Sequence, residues 1–483
     1  MLDLLAAPDY ALARWVVQHL VALVYVIAFT VALAQFRPLL GERGLTPIPR
    51  FLARTTFRRH PSLFHLRYSD TVFRVVAATG LVLAVAALAG ATDVLPLGAG
   101  IALWALLWVL YLSIVNVGQV WYGFGWESLL LEAGFLVTFL GPADVTPPAP
   151  ILWLLVWLLF RVEFGAGLIK LRGDRCWRDL TCLEYHHETQ PLPSPTSWWF
   201  HHLPRPLHRV EVLANHVTQL VVPFLLFAPQ PVATGAAVVV IVTQGWLVGS
   251  GNFAWLNLLT ITLAFAAIDD PHLRWLLPLP LPEPAPLPPW FAAVVLAVTV
   301  LMVALSFWPV ANMLSPGQKM NAGITPVHLG NSYGAFGSVT RERDEVVLEG
   351  TDDPDGGDSP DTAVWREYEF RSKPGDPYRR PPQTAPYHRR LDWLMWFAPL
   401  APRMARTWLP TLLDRLLEAD RPTLRLLRHD PFDGDRPAWV RARLYRYRFT
   451  TRAERRETGA WWHRELIGDY LPARTLPRSS AAP

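Results

Sequence analysis

The sequence predicts an α-helical multi-pass membrane domain of about nine spans, followed by a soluble α+β or β-sandwich C-terminal domain. The first observation behind this class is composition: 52% of the 483 residues are hydrophobic and 17% are charged, whereas soluble domains have about 25% charged residues. The second is a positive mean hydropathy of +0.22. The third is a change after about residue 314, where charges become dense and turn-forming pairs appear. We therefore expect a polytopic transmembrane domain at 1–314 and a soluble domain at 315–483.

Apolar runs of roughly 17–25 residues are long enough to cross a bilayer as helices. An extramembrane loop at 171–207 follows the fifth run. If there are nine spans, this loop and the 37–70 loop lie on the same side of the membrane as the C-terminal domain. The runs predict spans at 13–36, 71–91, 95–117, 126–141, 149–171, 208–229, 231–249, 253–268 and 289–313.

The C-terminal domain is predicted from strand-like runs and one helix-rich segment. The strand-like runs are DEVVLEG, VWREYEF and VRARLYRYRFT, and the stretch 390–420 is rich in helix-forming residues. In the third run the apolar residues change parity between Leu444 and Tyr445, which predicts a β-bulge or a strand that changes its buried face. The acidic run 349–361 lacks the spacing of an EF-hand, so we expect a solvated hairpin loop there.

Ionisable residues inside a span are costly unless they are paired or solvated, so they are candidates for function. Glu163 and Lys170 are two helical turns apart on one face of the fifth span, whereas Arg161 lies about 180° around the helix from Lys170. In one interpretation, Glu163 pairs with an Arg from another span and Lys170 extends to the membrane interface. In the other, Glu132, Glu163, Lys170 and His216 line a water-filled cavity in which Lys170 acts as a base.

The 171–207 loop contains both cysteines and a cluster of potential ligands. Cys176 and Cys182 are disulfide candidates in an oxidising compartment and remain thiols in a reducing one. His186, His187 and Glu188 are adjacent, and adjacent residues seldom point at one ion, so we expect no metal site and no cofactor. The aromatic run that begins at 197 favours anchoring at the membrane interface. The net charge is only +4 and the basic residues are dispersed, so no nucleic-acid partner is expected.

The segment FGAGLIKLRGDRCWRDLTCLEYHHETQPLP closely resembles the signature of the lipase maturation factor family. The similarity covers nearly the whole chain. It continues in VEVLANHVTQLVVPFLLF, SGNFAWLNLLT and NSYGAFGSVT within and just after the apolar region. In the C-terminal domain it reappears in WREYEFRSKPGD, RRPPQTAPYHRRLDWLMWFA, VRARLYRYRFTT and WWHREL.

The resemblance implies a membrane-anchored maturation or folding factor that assists secreted lipases or other exported proteins. It implies a chaperone-like role rather than an enzyme, with the lipid bilayer and an exported client as partners. The family's lipase contacts are attributed to extramembrane loops and the C-terminal domain, here 171–207 and the chain from about 315. The loop residues expected to contact the client are Arg172, Asp174, Trp177, Asp179, Glu184, Tyr185, His187 and Glu188.

A shorter similarity implies an alternative function. GAGLIKL looks like the end of the matching helix in vitamin K-dependent carboxylases and related transmembrane proteins, where a Lys serves as the catalytic base. Lys170 falls on that position. The alternative is therefore a membrane enzyme that acts on a lipid or quinone-like substrate, with Lys170 as base and Glu163 or His216 assisting.

Two observations disagree on orientation. The loops 37–70 and 171–207 are rich in Arg, and Arg274 is the sole Arg of the opposite loops, which predicts a cytoplasmic location for the C-terminal domain. The family resemblance implies the opposite side, and the cysteine pair favours it too. We expect the lumenal or external side. Family members in animals lie in the endoplasmic reticulum membrane, whereas a composition with Lys at only three positions suggests a bacterial plasma membrane.

Overall fold

The computed structural model describes residues 5–353 and 363–476. Within this part of the chain, nine main helices form a bundle, and we number them α1 to α9. Their bounds are Ala11–Leu40 (α1), Asp70–Leu88 (α2), Leu97–Val117 (α3), Gly125–Val137 (α4), Ala149–Arg172 (α5), Arg205–Leu220 (α6), Val232–Ser250 (α7), Leu256–Ala264 (α8) and Pro289–Leu314 (α9).

Contacts between the connecting segments show that successive helices run in opposite directions. At one end of the bundle, the backbone NH of Ala143, after α4, donates to the Asp93 carbonyl, before α3, at 3.2 Å. At the other end, the Gln119 amide, after α3, donates to the Thr46 carbonyl, after α1, at 2.9 Å. The first four helices therefore pass alternately between the two ends of the bundle. The NH of Ala285, before α9, donates to the Asp144 carbonyl at 2.7 Å at the first of these ends.

The nine helices differ in length more than the hydrophobic runs predicted. Among the described residues, six of them (α1, α2, α3, α5, α7 and α9) are long and apolar enough to cross a membrane. The other three have 13, 16 and 9 residues. Proline explains one of the breaks: α6 ends at Leu220, and Pro223 follows within the short helix Val222–Leu225, because proline cannot supply the backbone NH that a continuous helix needs. The hydrophobic runs at 126–141, 208–229 and 253–268 are thus longer than their helices.

Short helices occupy the connections between the main helices. Three of them lie in the 171–207 loop, which is folded back against the bundle. The short α-helices are Ile48–Leu52, Ala91–Val94, Arg175–Arg178, Leu183–Thr189, Ser197–His201, Val222–Leu225 and Asp270–Leu273. The 3-10 helices are Pro8–Tyr10, Leu63–His65, Gln119–Tyr122 and Phe265–Ala267.

The C-terminal domain is of the α+β class, because its described strands form one sheet rather than the two of a β-sandwich. The strand order is β3-β2-β1-β4-β5 and neighbouring strands are antiparallel. The strands are Arg343–Thr351 (β1), Arg366–Phe370 (β2), Leu427–His429 (β3), Trp439–Phe449 (β4) and Trp462–Arg474 (β5). The helices are Arg390–Leu400 (α10), Leu409–Leu417 (α11) and Arg452–Thr458 (α12), with short helices at Pro402–Ala405 and Arg421–Leu424.

Strand β4 changes its buried face where the sequence predicted it. The pairing of β4 with β5 shifts register between Leu444 and Tyr445. Before the shift, Val440 belongs to the large hydrophobic core, and after it Tyr447 packs in a second cluster with aromatic residues. Strands β1 and β2 pair antiparallel, with Gly350 opposite Arg366. Residues 354–361 of the predicted acidic loop lie outside the described residues.

Candidate functional site

A buried ion pair fixes the C-terminal domain to one end of the bundle. Glu127 at the start of α4 accepts from Arg390 at the start of α10 at 2.7 Å, and both side chains are 1% exposed. Arg390 also donates to the Trp121 carbonyl at 2.5 Å, and its backbone NH donates to Gln35 on α1 at 3.0 Å. A buried carboxylate is costly unless its charge is compensated. Because Glu127 belongs to the bundle and Arg390 to the C-terminal domain, each domain supplies one of the two charges.

A second buried ionic group joins the sheet to the 171–207 loop. Arg343 on β1 pairs with Glu345 at 2.6 Å, and Lys373 pairs with the same carboxylate at 2.9 Å. The Arg343 guanidinium also donates to the backbone carbonyls of Glu188, Gln190 and Pro191 at 2.5–3.0 Å. The loop backbone is therefore held by a charged side chain of the C-terminal domain.

Glu188 adds a reciprocal contact from the loop to the sheet. Its side chain accepts from the backbone NH of Phe449 on β4 at 2.6 Å. Burial raises the pKa of Glu188 to about 6, partly offset by this hydrogen bond and by the nearby Arg343. The loop and the domain thus contact each other through both side chains and backbone.

Inside the bundle, Arg161 on α5 pairs with Glu132 on α4 at 2.5 Å, and both side chains are buried. Glu132 also accepts from the Tyr333 hydroxyl at 2.9 Å and from the Asn331 amide at 3.1 Å. Arg161 in turn donates to the Asn331 carbonyl at 2.9 Å. The segment that follows α9 therefore enters the bundle and completes this charged cluster.

Lys170 belongs to a separate cluster on the opposite face of α5. Its ammonium donates to Gln219 at 2.7 Å and to Asn215 at 3.1 Å, and it lies 5.0 Å from the centre of the Trp177 ring. The Gln219 amide donates to Glu163 at 3.2 Å. Glu163 and Lys170 therefore share one face, as the helical spacing predicted, and Gln219 connects them.

Neither interpretation of these residues from the sequence is correct in full. Glu163 receives a second hydrogen bond from Gln244 at 2.6 Å rather than from an Arg. Lys170 is 5% exposed and donates to two amide oxygens inside the protein rather than extending away from the bundle. The four residues predicted to line one cavity do not all contact one another. Glu132 pairs with Arg161, and His216 lies 3.0 Å from the Trp177 carbonyl.

The 171–207 loop has a small core of its own. Cys176 and Cys182 form a disulfide and pack with Trp177 and with Val212 of α6. Asp174 caps the short helix that contains Cys176, accepting from its backbone NH at 3.0 Å. These contacts attach the beginning of the loop to the bundle.

The predicted client-contact residues of the loop have different exposures. Trp177 and His187 are 3% exposed. The side chains of Asp179 and Glu184 are 50% and 26% exposed, and they form surface pairs with Arg175 and Arg205 respectively. The four other residues make contacts within the protein: Arg172 donates to the Met313 carbonyl at 2.7 Å, Asp174 pairs with Arg341 at 3.3 Å, Tyr185 lies beneath Arg341 at 5.2 Å, and Glu188 accepts from Phe449.

The packing of one segment was not predicted from the sequence, because it depends on a close approach of two backbones. The segment 331–337 crosses the end of α5, where the NH of Asp174 donates to the Gly337 carbonyl at 2.7 Å. A Cβ at Gly173 would lie 2.0 Å from that same carbonyl oxygen, and one at Gly165 would lie 2.5 Å from the Tyr333 carbonyl oxygen. The glycines of α5 and of the segment NSYGAFG were the features of the sequence that could have indicated this close contact.

Comparison with known proteins finds matches to both the helical bundle and the C-terminal domain. The family model described as lipase maturation factor transmembrane domain matches residues 12–275, and the model described as lipase maturation factor C-terminal domain matches residues 329–472. The chain belongs to the lipase maturation factor family. This family member is similar to lipase maturation factor 1 of Bos taurus, with 42% identity over 97% of the chain and 90% of the relative. No solved structure matches it.

Other relatives support the same family. Lipase maturation factor 1 of Homo sapiens is 42% identical over 96% of this chain and 88% of its own length. Lipase maturation factor 2 of Rattus norvegicus is 30% identical over 94% of this chain and 82% of its own length. These matches do not support the membrane-enzyme alternative, which had rested on Lys170. In this lipase maturation factor family member, the Lys170 ammonium is held by two amide oxygens and a ring face.

Proposed function

We propose that the chain is a membrane-anchored factor that assists the folding or assembly of secreted lipases. The observation that carries this proposal is the 42% identity to lipase maturation factor 1 over 97% of the chain, which spans both the helical bundle and the C-terminal domain. The name of that relative assigns lipase maturation to it. Because this chain has counterparts of both parts of that relative, a function that needs both parts can be proposed for this chain as well.

We propose a division of labour in which the bundle anchors the protein in the membrane, and the C-terminal domain and the 171–207 loop meet the client. The contacts between these parts support the proposal. The buried pair Glu127–Arg390 and the hydrogen bonds from Arg343 to the carbonyls of the 171–207 loop hold these parts together. A fixed arrangement of the loop and the C-terminal domain favours client binding, because a pre-organised surface loses little conformational entropy when it binds.

We propose that the client surface includes the outer edge of β5. This strand has 13 residues and lies at the edge of the described sheet. Leu466 and Ile467 at its middle are 49% and 48% exposed. An exposed edge strand offers backbone donors and acceptors to an extended segment of another chain, which an incompletely folded lipase can supply. Asp179 and Glu184 are the loop residues best placed to contribute contacts.

We further propose that this surface faces the lumen of the endoplasmic reticulum or the exterior of the cell. A disulfide between Cys176 and Cys182 persists in oxidising compartments, which supports the proposal. The relatives named above are vertebrate proteins and lend no support to a bacterial plasma membrane. Alkaline phosphatase tests the orientation in a bacterial host, because it is active only after export. Fusion after residue 483 should be active, and fusion after residue 282, at the opposite end of the bundle, should be inactive. The reverse pattern would contradict the proposal.

Complementation tests the function itself. Cells that lack their own lipase maturation factor 1 are given a secreted lipase together with either this chain or a version that ends at residue 314. The full chain should restore lipase activity per unit of secreted lipase, with lipase transcript unchanged. Equal lipase activity from the shortened and the full chain would overturn the role of the C-terminal domain, and no restoration by a well-expressed full chain would overturn the function.

A further inference from the structure

Three side chains from the loop and from α6 form a cluster of metal-ligating groups in which both histidines are buried. A ring nitrogen of His187, a ring nitrogen of His208 and a carboxylate oxygen of Glu211 all lie within 4.8 Å of one another. His187 lies on the short helix Leu183–Thr189. His208 and Glu211 are three residues apart near the start of α6, so they share one face of that helix. The cluster therefore lies between two separate elements.

His187 lacks the hydrogen bonds that a buried imidazole normally has. Its side chain is 3% exposed, and neither ring nitrogen has a hydrogen-bond partner among the described residues. A neutral imidazole carries one donor and one acceptor, and leaving such groups unsatisfied in the interior is destabilising. A ligand that accepts the lone pair of His187 would remove part of this penalty.

His208 lies between two acceptors. Its Nε2 is 3.4 Å from the His201 carbonyl oxygen and its Nδ1 is 3.2 Å from the Glu211 carboxylate. A neutral imidazole has a single N–H and can donate to only one of them. A cation bound between Nδ1 and Glu211 would leave the N–H on Nε2, where it donates to the His201 carbonyl. Glu211 is held in place from its other side, where its second oxygen accepts from the Trp246 indole at 3.1 Å.

We propose that His187, His208 and Glu211 bind a divalent transition metal ion, with Zn²⁺ the best match. Two imidazoles and a carboxylate are a ligand set that Zn²⁺ accepts, at bond lengths of about 2.0–2.2 Å. Mg²⁺ and Ca²⁺ prefer oxygen ligands. The His201 carbonyl and the Trp246 indole supply the outer hydrogen bonds that orient metal ligands. The sequence alone predicted no metal site, because it paired His187 with its neighbours rather than with α6.

The ion has a structural consequence for the loop. It links the helix that carries His187 to α6, beyond the point where the Cys176–Cys182 disulfide already attaches the beginning of the loop. The competing interpretation is that the Nδ1–H of His208 donates directly to Glu211, which leaves His187 without a partner. These interpretations differ in whether a metal ion is bound, and this difference is measurable.

Metal analysis of the full-length protein tests the proposal directly. The protein is purified in detergent with an affinity tag that contains no histidine, and zinc is measured by inductively coupled plasma mass spectrometry. We expect about one zinc ion per chain, and at least a tenfold reduction in His187→Gln and in Glu211→Gln. Glu211→Gln keeps an oxygen for the Trp246 indole. His202→Gln is the matched control, because His202 lies in the same loop but outside the cluster, and it should retain its zinc.

A second measurement covers variants that fold poorly. Wild-type protein is stripped with a chelator and titrated with Zn²⁺, and the melting temperature is followed. Zn²⁺ should raise the melting temperature of the wild type and of His202→Gln, and it should have no effect on the two cluster variants. Cobalt added in place of zinc should give the visible absorption of a four-coordinate site in the wild type. Equal zinc content in all variants, or a wild type that neither binds zinc nor responds to it, would overturn the proposal.

Discussion

Glu127 and Arg390 lie 263 residues apart in the sequence, yet their side chains meet at 2.7 Å in a site that excludes solvent. The carboxylate comes from a helix of the membrane bundle and the guanidinium from the first helix of the C-terminal domain. The Trp121 and Trp408 rings pack beside this pair with their centres 5.5 Å apart. The two domains are therefore joined by charge as well as by hydrophobic contact.

Substitution of Arg390 tests this connection. Arg390→Met should lower the free energy of unfolding by about 3–5 kcal/mol, because it leaves the Glu127 carboxylate buried without its charged partner. Denaturant unfolding of the purified protein in detergent measures the change. Arg403→Met replaces an exposed Arg of the same domain and should change stability by less than about 0.5 kcal/mol. Equal effects of the two substitutions would show that the pair does not connect the domains.

Lys170 distinguishes a structural role from a chemical one. Lys170→Met should destabilise the protein by about 1–3 kcal/mol, because the Asn215 and Gln219 oxygens lose their donor. Lipase activity, normalised to the amount of folded protein in the membrane, should be unchanged if the role of Lys170 is structural. Lys319→Met, at an exposed position, is the control. Loss of lipase maturation at normal folding would instead support base chemistry at Lys170.

The helical period was sufficient to predict which polar residues share a face. It placed Glu163 with Lys170 and placed Arg161 opposite, and each pair of neighbours found in the bundle agrees with that division. The partners themselves could not be predicted, because Glu132 and Arg161 belong to different helices whose packing the period does not determine. The same is true of Arg390, whose partner lies in the other domain.

The sequence also could not predict where some helices end or which side chains lie near His187 in space. Hydrophobicity extends past the points where α4, α6 and α8 end, so the runs overestimated these helices. From the sequence, His187 was considered together with the adjacent His186 and Glu188, and no metal site was expected there. Its neighbours in space are instead His208 and Glu211 on α6, which only the folded loop brings together.

Close backbone contact at Gly173 gives a third prediction. Gly173→Ala places a Cβ 2.0 Å from the Gly337 carbonyl oxygen, and backbone on both sides has little freedom to move. We expect a loss of about 1–3 kcal/mol in stability and a lower melting temperature. Gly375→Ala is the matched control, because a Cβ there meets nothing within 4 Å. A normal melting temperature for Gly173→Ala would contradict the close packing of 331–337 on α5.

Histidine burial predicts a dependence on pH. Burial, together with nearby His60, lowers the pKa of His328 to about 4, whereas the unfolded chain has a His pKa of about 6.5. Between these values the unfolded chain binds a proton that the folded chain does not, so stability falls as the pH is lowered from about 6.5 towards 4. His328→Gln retains a donor for Asn116, the present partner at 2.8 Å, and should lose less stability over this range. Parallel curves of melting temperature against pH for the two proteins would contradict the prediction.

The edge of β5 gives the prediction for client binding. Replacement of both Leu466 and Ile467 by Lys should lower lipase activity per unit of secreted lipase several-fold, because charged side chains on an edge strand oppose the addition of another strand. Both residues are about half exposed, so the melting temperature should be unchanged. Val364→Lys is the control, since Val364 is 77% exposed elsewhere in the domain. Full lipase activity with the double substitution would exclude this edge as the client surface.

Contact between the C-terminal domain and a lipase can be measured directly by site-specific photo-crosslinking. A photoreactive amino acid is placed at Ile467 or at Val364, and a secreted lipase is co-expressed in the same cells. We predict a crosslink to newly made lipase from position 467 that is much stronger than from position 364 and that declines as the lipase becomes active. No crosslink from position 467, or equal crosslinks from both positions, would contradict a lipase-binding role for this domain.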